Sequence, residues 1–194
     1  MSIIPPQILL EAYKSGYFPM GLGPIAEEEI GWFEPKKRGI IPLDQFHVPH
    51  GLKRTLKKNL FEVRFDTVFR EVMQACAERP ETWINPTILA SYCNLHHLGY
   101  AHSVECWKDD TLVGGLYGVH VGGAFFGESM FHRVSDASKV ALTALVARLR
   151  ERDFLLLDTQ WLTSHLAQFG GVEMGRREYR QKLQEAVRRE RSFH

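Results

Sequence analysis

From Ala101 to Phe131 the chain takes up a period of two, broken only at Lys108-Asp109-Asp110 and at Gly122-Gly123. That period belongs to extended backbone, because successive side chains of a strand point to opposite faces. Both interruptions are made of turn-forming residues. The stretch therefore predicts three strands, 101–107, 112–121 and 124–131, joined as an antiparallel meander. A meander buries at least one face, so the rest of the chain is expected to supply covering helices.

Those helices are visible on both sides. Pro5-Pro6, then Leu9, Ala12 and Tyr13 at helical spacing, with Gly16 as a stop, predict a short first helix. Tyr17-Phe18-Pro19-Met20-Gly21 reads as a turn with exposed apolar groups, and an acidic loop, Glu27-Glu28-Glu29, precedes Trp32-Phe33-Glu34-Pro35. Pro35-Lys36-Lys37-Arg38-Gly39 reads as a linker. It divides the chain into a small N-terminal domain, 1–37, and a main domain, 38–194. The first piece is too short for its own core and is expected to pack on the second.

After an extended stretch, 39–43, a basic helix is expected to begin near Pro49. Asp66 is expected to cap a helix with Phe69, Val72, Met73 and Cys76 on its apolar face. A further helix opens at Asn85-Pro86, carries Ile88, Leu89, Tyr92 and Leu95, and stops at Gly99. Beyond the meander, Val140, Leu142, Leu145, Val146 and Leu149 mark a helix beginning near Asp136. An apolar strand, Leu155-Leu156-Leu157, and a final helix follow. A helix between the third and fourth strands permits a parallel pair. The expected fold class is α+β, with a mixed, mainly antiparallel sheet.

Composition narrows the function classes. The chain has 194 residues, 44% hydrophobic and 24% charged, which is ordinary globular usage. A chain of this size buries roughly 70% of its unfolded surface, so no disulfide or metal is needed to hold it. Net charge is +1, but seven basic residues face three acids between Arg176 and Arg191. Lys53, Arg54, Lys57 and Lys58 form a second patch without an acid. Two basic patches on a near-neutral chain suggest a polyanion touched at chosen places; solvated helix faces are the plainer reading. Cys76, Cys93 and Cys106 are odd in number and contain no Cys-x-x-Cys, which fits a reduced intracellular protein without a zinc ribbon. No signal peptide opens the sequence, and no apolar run approaches the roughly 18 residues a membrane span requires. A cytoplasmic protein with no membrane attachment is expected.

Candidate chemistry gathers at two places. Glu128 stands among Phe125, Phe126 and Phe131. A carboxylate among aromatics is costly unless it has a partner or a cationic ligand; the bland alternative is a solvent-facing strand edge. Asp158 and Gln160 follow the last apolar strand, at a carboxyl edge where α/β sheets place sites. In extended backbone both point to one side, which suits an acid that orients an amide; an Asx turn explains the pair equally well. Ser129 lacks the second glycine of a nucleophile elbow, because Phe131 stands there. The glycines at 114, 115, 118, 122, 123 and 127 match no phosphate-binding loop. His96-His97 belongs to no metal-ligand motif, and His102 and His165 read as structural.

Across these segments the sequence resembles the bacterial leucyl/phenylalanyl-tRNA–protein transferase family, from Leu9 to about Tyr179. The matching segments include Ala12-Tyr13-Lys14-Ser15-Gly16-Tyr17-Phe18-Pro19, Trp32-Phe33-Glu34-Pro35, Arg38-Gly39-Ile40-Ile41-Pro42, Thr82-Trp83-Ile84, Gly127-Glu128-Ser129-Met130-Phe131 and Leu157-Asp158-Thr159-Gln160. The resemblance implies a small N-terminal domain and an acetyltransferase-like, GNAT-type catalytic domain. It implies transfer of Leu or Phe from aminoacyl-tRNA to the N-terminal Arg or Lys of proteins, which then enter N-end rule degradation. No metal or other cofactor is implied, and a monomer is expected.

By the same resemblance, Glu128 binds the donor α-amino group, and Asp158 and Gln160 form an acid–amide relay at the reacting centre. Trp83 supports the terminal adenosine and Phe125 lines the amino-acid pocket. Tyr13, Met20, Ser129, Leu145 and Leu149 complete the substrate-binding set, and the patch at Lys53, Arg54, Lys57 and Lys58 contacts tRNA. Met20 stands where many members carry Trp, and Leu145 and Leu149 replace large aromatics of the pocket wall.

The chemistry is consistent with these residues. An aminoacyl ester is already activated, so alignment of a neutral amine, oxyanion stabilisation and the handling of one proton suffice. An apolar pocket admits Leu, Phe and Met, and resists β-branched side chains by roughly 1–3 kcal/mol. The rival enzyme reading is an acyl-CoA-dependent N-acetyltransferase. That chemistry wants a glycine-rich pyrophosphate loop, whereas Arg133-Val134-Ser135-Asp136 offers an acid. A non-catalytic RNA-binding module leaves Asp158 and Gln160 without a role.

Overall fold

The computed structural model describes residues 2–23 and 29–194. In chain order the elements are α1 (Pro6–Lys14), β1 (Phe18–Leu22), β2 (Glu29–Phe33), β3 (Lys37–Ile41), α2 (His50–Lys57), β4 (Glu62–Phe65), α3 (Phe69–Ala77) and α4 (Pro86–His97). The meander follows as β5 (Ala101–Lys108), β6 (Thr111–Val121) and β7 (Ala124–His132). Then come α5 (Ala137–Glu151), β8 (Leu156–Gln160), α6 (Ser164–Ala167), β9 (Val172–Gly175) and α7 (Arg176–Val187). β1 and β2 form their own two-stranded ribbon; the other strands form a seven-stranded sheet ordered β4-β5-β6-β7-β8-β3-β9. Every pairing is antiparallel except β7 with β8.

The meander, its two turns and the long helix after it stand where the period-two and helical patterns place them. Asn85 caps α4 as expected, its Oδ1 accepting from the Ile88 N–H at 2.9 Å. The sheet carries apolar side chains on both faces. One cluster, with Val72, Ile88, Tyr92, Val119 and Phe126, lies under α1, α3, α4 and α7. The other, with Val104, Phe125, Leu142, Leu145 and Leu149, lies under α2 and α5. Leu9, Tyr13 and Phe18 of the N-terminal segment are fully buried in the first cluster, so that segment packs on the rest.

Several local expectations are corrected. Phe18–Met20 is strand rather than exposed turn: Phe18 pairs with Phe33 and its ring stacks on that residue at 6.2 Å. Aromatic cross-strand pairing outweighs the turn signal of Pro19. The supposed linker enters β3 at Lys37, and Arg38 is only 1% exposed. Asp66 does not cap α3, whose N-cap is Val68; with φ at +58°, Asp66 instead accepts from the Ser103 N–H at 2.7 Å. The short strands β4 and β9 have no clear sequence pattern. Glu29 opens β2, while Glu27 and Glu28 of the acidic loop lie outside the described residues.

Candidate active site

β7 and β8 pair only from Ala124–Leu156 to Phe126–Asp158. Beyond that point a cavity of about 360 Å³ opens, lined by Gly127 to Met130 on one strand and by Leu157, Thr159 and Gln160 on the other. Two irregularities flank the opening. On β7, Gly127 pairs with Gly118 and Ser129 with Tyr117, so Glu128 is left as an extra residue. On β8, Asp158 pairs with Ile40 and Gln160 with Gly39, so Thr159 is the extra residue. Bulges of this kind re-aim side chains next to active sites. Gly39 is required there, because a Cβ would stand 2.5 Å from the Trp161 backbone.

At the second bulge Gln160 has φ at +65°, a left-handed conformation that costs a side-chain-bearing residue roughly 1–2 kcal/mol. The compensating contacts come from Asp158. Its Oδ1 accepts from the Gln160 backbone N–H at 2.7 Å, which is an Asx-type turn. Of the two expected readings of the Asp–Gln pair, the Asx turn is present: the acid holds the backbone N–H of Gln160, while the side-chain amide bonds Glu128. Asp158 is fully buried and does not line the cavity. Its carboxylate is filled by Arg38, whose Nε lies 3.0 and 2.9 Å from the two oxygens, and by the Tyr179 hydroxyl, which donates to Oδ2.

Across the gap Gln160 Nε2 donates to Glu128 Oε1 at 3.0 Å. The Tyr13 hydroxyl donates to the same oxygen at 2.6 Å and is itself hydrogen-bonded to the Tyr92 hydroxyl. The other oxygen, Oε2, is buried with no hydrogen-bond partner. Burial pushes the Glu128 carboxyl up to about 7, against the lowering effect of Tyr13 and Gln160. Burial and the neighbouring Glu128 charge hold the Tyr13 hydroxyl well above its ordinary value, so it remains a donor.

Of the residues singled out in the sequence, the cavity gathers Met20, Trp83, Glu128, Ser129, Leu145 and Gln160. Met20 and Trp83 arrive together because β1 docks on the segment before α4: Gly21 donates to the Trp83 carbonyl at 2.9 Å. Tyr13 reaches the cavity only through Glu128. Phe125 and Leu149 are not in its lining; both are fully buried in the cluster beneath α5, and Phe125 stacks on Phe193 at 5.6 Å. The cavity floor is instead Leu116, Leu142, Leu145, Leu157 and Leu166.

The sequence reading missed several neighbours. Arg79 spans the mouth, donating to Ser129 Oγ and the Met130 carbonyl at 2.8 Å. Trp161 and His165 line the wall, and Arg38, Tyr92 and Tyr179 lie behind it. An arginine directly before Gly-Ile-Ile was the available signal for Arg38, masked by the preceding lysines.

Lys53, Arg54, Lys57 and Lys58 are all exposed on and just after α2, opposite buried Leu52. None of the four makes an ion pair among the described residues. The basic stretch on α7 differs, because Arg176 and Arg180 are bound to Glu34. Asp66, His102 and His194 bring possible ligand atoms within 4.8 Å, but they hydrogen-bond one another and none lines the cavity.

A half-buried glutamate whose enclosed Oε2 has no hydrogen-bond partner, beside an amide and above leucine side chains, could accept a ligand with one cationic and one apolar group. The family described as Leucyl/phenylalanyl-tRNA protein transferase matches residues 40–184, and its N-terminal domain matches residues 3–36. The chain is 53% identical over 190 residues to the leucyl/phenylalanyl-tRNA–protein transferase of Zymomonas mobilis subsp. mobilis, covering 96% of this chain and 70% of that protein. It is 52% identical over 189 residues to the one from Herpetosiphon aurantiacus, covering 97% of each. The chain therefore belongs to the leucyl/phenylalanyl-tRNA–protein transferase family. A solved structure, L-PGS from Bacillus licheniformis, aligns with a TM-score of 0.43 at 13% identity, over 89% of this chain and 60% of that one.

Proposed function

We propose that this protein transfers Leu or Phe, and also Met, from aminoacyl-tRNA to the N-terminal Arg or Lys of acceptor proteins, marking them for N-end rule degradation. The observation that carries this reading is Glu128 Oε2, buried and unpartnered above an apolar floor. A donor α-ammonium supplies the missing partner, while Leu116, Leu142, Leu145 and Leu157 receive its side chain. Trp83 supports the terminal adenosine and Met20 borders the same region. Gln160 can donate to the carbonyl oxygen, which turns negative as the acceptor amine attacks. The C–N bond forms, the C–O bond to the ribose breaks, and the amine proton leaves with the ribose oxygen. Asp158 works from behind, through Gln160. Lys53, Arg54, Lys57 and Lys58 form the tRNA-facing surface.

We further read residues 1–37 as an N-terminal domain and 38–194 as a GNAT-type catalytic domain. The meander, α5 and the splayed parallel pair of β7 and β8 support this, as do the separate family matches. A monomeric cytoplasmic enzyme fits three free cysteines, two of which have thiols pushed by burial to about 12. The acyl-CoA alternative is disfavoured by Asp136 at the start of α5, whose carboxylate binds Lys139 and Thr55 where a pyrophosphate would lie.

A donor series tests the pocket. Leu-, Phe- and Met-charged tRNA should each label a protein bearing N-terminal Arg. Ile- and Val-charged tRNA should fall about 10- to 100-fold lower, because a β-branch meets the cavity wall. Equal labelling by all five would remove the pocket assignment.

A further inference from the structure

Asp158 makes its contacts in a layer that no substrate reaches. Arg38 is 1% exposed and lies between two aromatic rings, its Cζ 4.7 Å from the centre of Phe18 and 4.8 Å from that of Tyr179. One terminal nitrogen lies 2.9 Å from Asp158 Oδ2, and the other donates to the Gly16 carbonyl at 2.8 Å. Arg38 thereby ties three things together: the chain leaving α1, the bulged edge of β3 and β8, and the ring of Tyr179 on α7. The Tyr179 hydroxyl donates to the same Asp158 oxygen. Asp158 oxygens therefore meet Nε and a terminal nitrogen of Arg38, the Tyr179 hydroxyl and the Gln160 N–H, with no other partner among the described residues.

This arrangement faces a strained residue that does line the cavity. Gln160 is left-handed at φ +65°, and a glycine there would relax it; a glutamine persists only if its surroundings over-determine it. The Asp158–Gln160 N–H bond does so, and Asp158 can keep its direction only while Arg38 and Tyr179 occupy its remaining lone pairs. We propose that Arg38 and Tyr179 are positioning residues for transfer: through Asp158 they set the backbone of Gln160, and so aim its amide between Glu128 and the reacting ester. This rests on the proposed function, since it gives the aimed amide its task.

Removal of the Arg38 charge leaves Asp158 unpaired in the core, and such a variant is at risk of not folding. The informative change is Tyr179→Phe, which deletes one hydroxyl and keeps the ring against Arg38. Four full-length proteins are compared: the parent, Tyr179→Phe, Gln160→Ala and the double variant. Tyr179→Phe should lower kcat about tenfold with donor KM within twofold, because a small misaim of a reacting group is costly while binding is untouched. In the Gln160→Ala background the same change should lower kcat less than twofold, since nothing is left to aim. Losses that multiply independently, or a raised KM at unchanged kcat, would overturn the proposal.

A second readout does not need activity. Backbone hydrogen exchange at Gln160, followed by NMR, should be at least tenfold faster in Tyr179→Phe, with β5 and β6 amides unchanged. Unchanged exchange at Gln160 would overturn the positioning role. A parent protein that transfers no amino acid, yet shows the exchange effect, would sink the proposed function and leave the positioning contact standing.

Discussion

Glu128 and Asp158 are two carboxylates of one site with opposite surroundings. Asp158 has every lone pair engaged by Arg38, Tyr179 and the Gln160 backbone; Glu128 has one oxygen engaged and one open. The first arrangement suits a structural group, and the second suits the ligand-binding role proposed for Glu128. Glu128→Gln keeps the shape and removes the charge. Its loss of kcat/KM should be larger with aminoacyl-tRNA than with a donor lacking the α-amino group; equal losses would assign Glu128 to the strand or to the acceptor. The same group sets a pH dependence. Burial lifts its carboxyl to about 7, above the unfolded value, so the folded protein holds a proton that the unfolded chain has released. That contribution to stability is full below the ordinary carboxylate range and is lost as pH rises through about 7. The proposed pairing of Glu128 with the donor α-ammonium uses the ionised carboxylate, so donor KM should fall as pH rises through about 7, and Glu128→Gln should flatten that profile. For Asp158→Asn a different result is expected. Turnover should drop with donor binding within a few-fold, and stability should fall by about 3–5 kcal/mol, because a buried pair loses one charge. A variant as stable as the parent in thermal unfolding would show that the Arg38 pair is not what holds this region.

At the scale of elements, the helices and the meander were legible because each repeats one period over many residues. Phe69, Val72, Met73 and Cys76 mark α3 by spacing alone, and Lys108-Asp109-Asp110 marks its hairpin. The bulges at Glu128 and Thr159 were not, since a bulge is a property of register between strands distant in sequence. For the same reason Asp158 and Gln160 were read as neighbours on one extended edge, whereas one is buried and the other lines the cavity. Arg38 was absorbed into a charge run, and β4 and β9 span only four residues each, too few for a period to stand out. The family resemblance implies Phe125 as pocket wall, but strand alternation turns it to the α5 side. The α2 surface gives an electrostatic prediction. Its four cations face solvent without ion pairs among the described residues, while the α7 cations are partly committed to Glu34. Reversing Lys53 and Lys57 should flatten the slope of log affinity for tRNA against log salt by about 2. Reversing Arg176 and Arg180 should instead loosen the N-terminal ribbon. An unchanged salt slope for the α2 variant would make that helix a solvated face.

Across the whole molecule, one sheet with two apolar faces carries the candidate site at the line where the only parallel pair among the described residues comes apart. The N-terminal segment closes one side by placing Tyr13 against Glu128 and Met20 beside Trp83. The C-terminal segment seals the opposite face: Phe193 is 1% exposed, stacks on His102 and Phe125, and has its carbonyl held by Arg148. Phe193→Ala should therefore cost about 3–5 kcal/mol of stability, read by denaturant unfolding, with little change in kcat at low temperature. The molecule's chemistry as a whole is decided by a single reaction. The purified protein is mixed with Leu-tRNA, acetyl-CoA and a model protein bearing N-terminal Arg, and the intact mass of the model protein is followed. The account predicts one leucyl increment at the N-terminus, formed much more slowly with Gln160→Ala and absent when the model protein begins with Ala. An acetyl increment, or tRNA binding with no mass change, would contradict it.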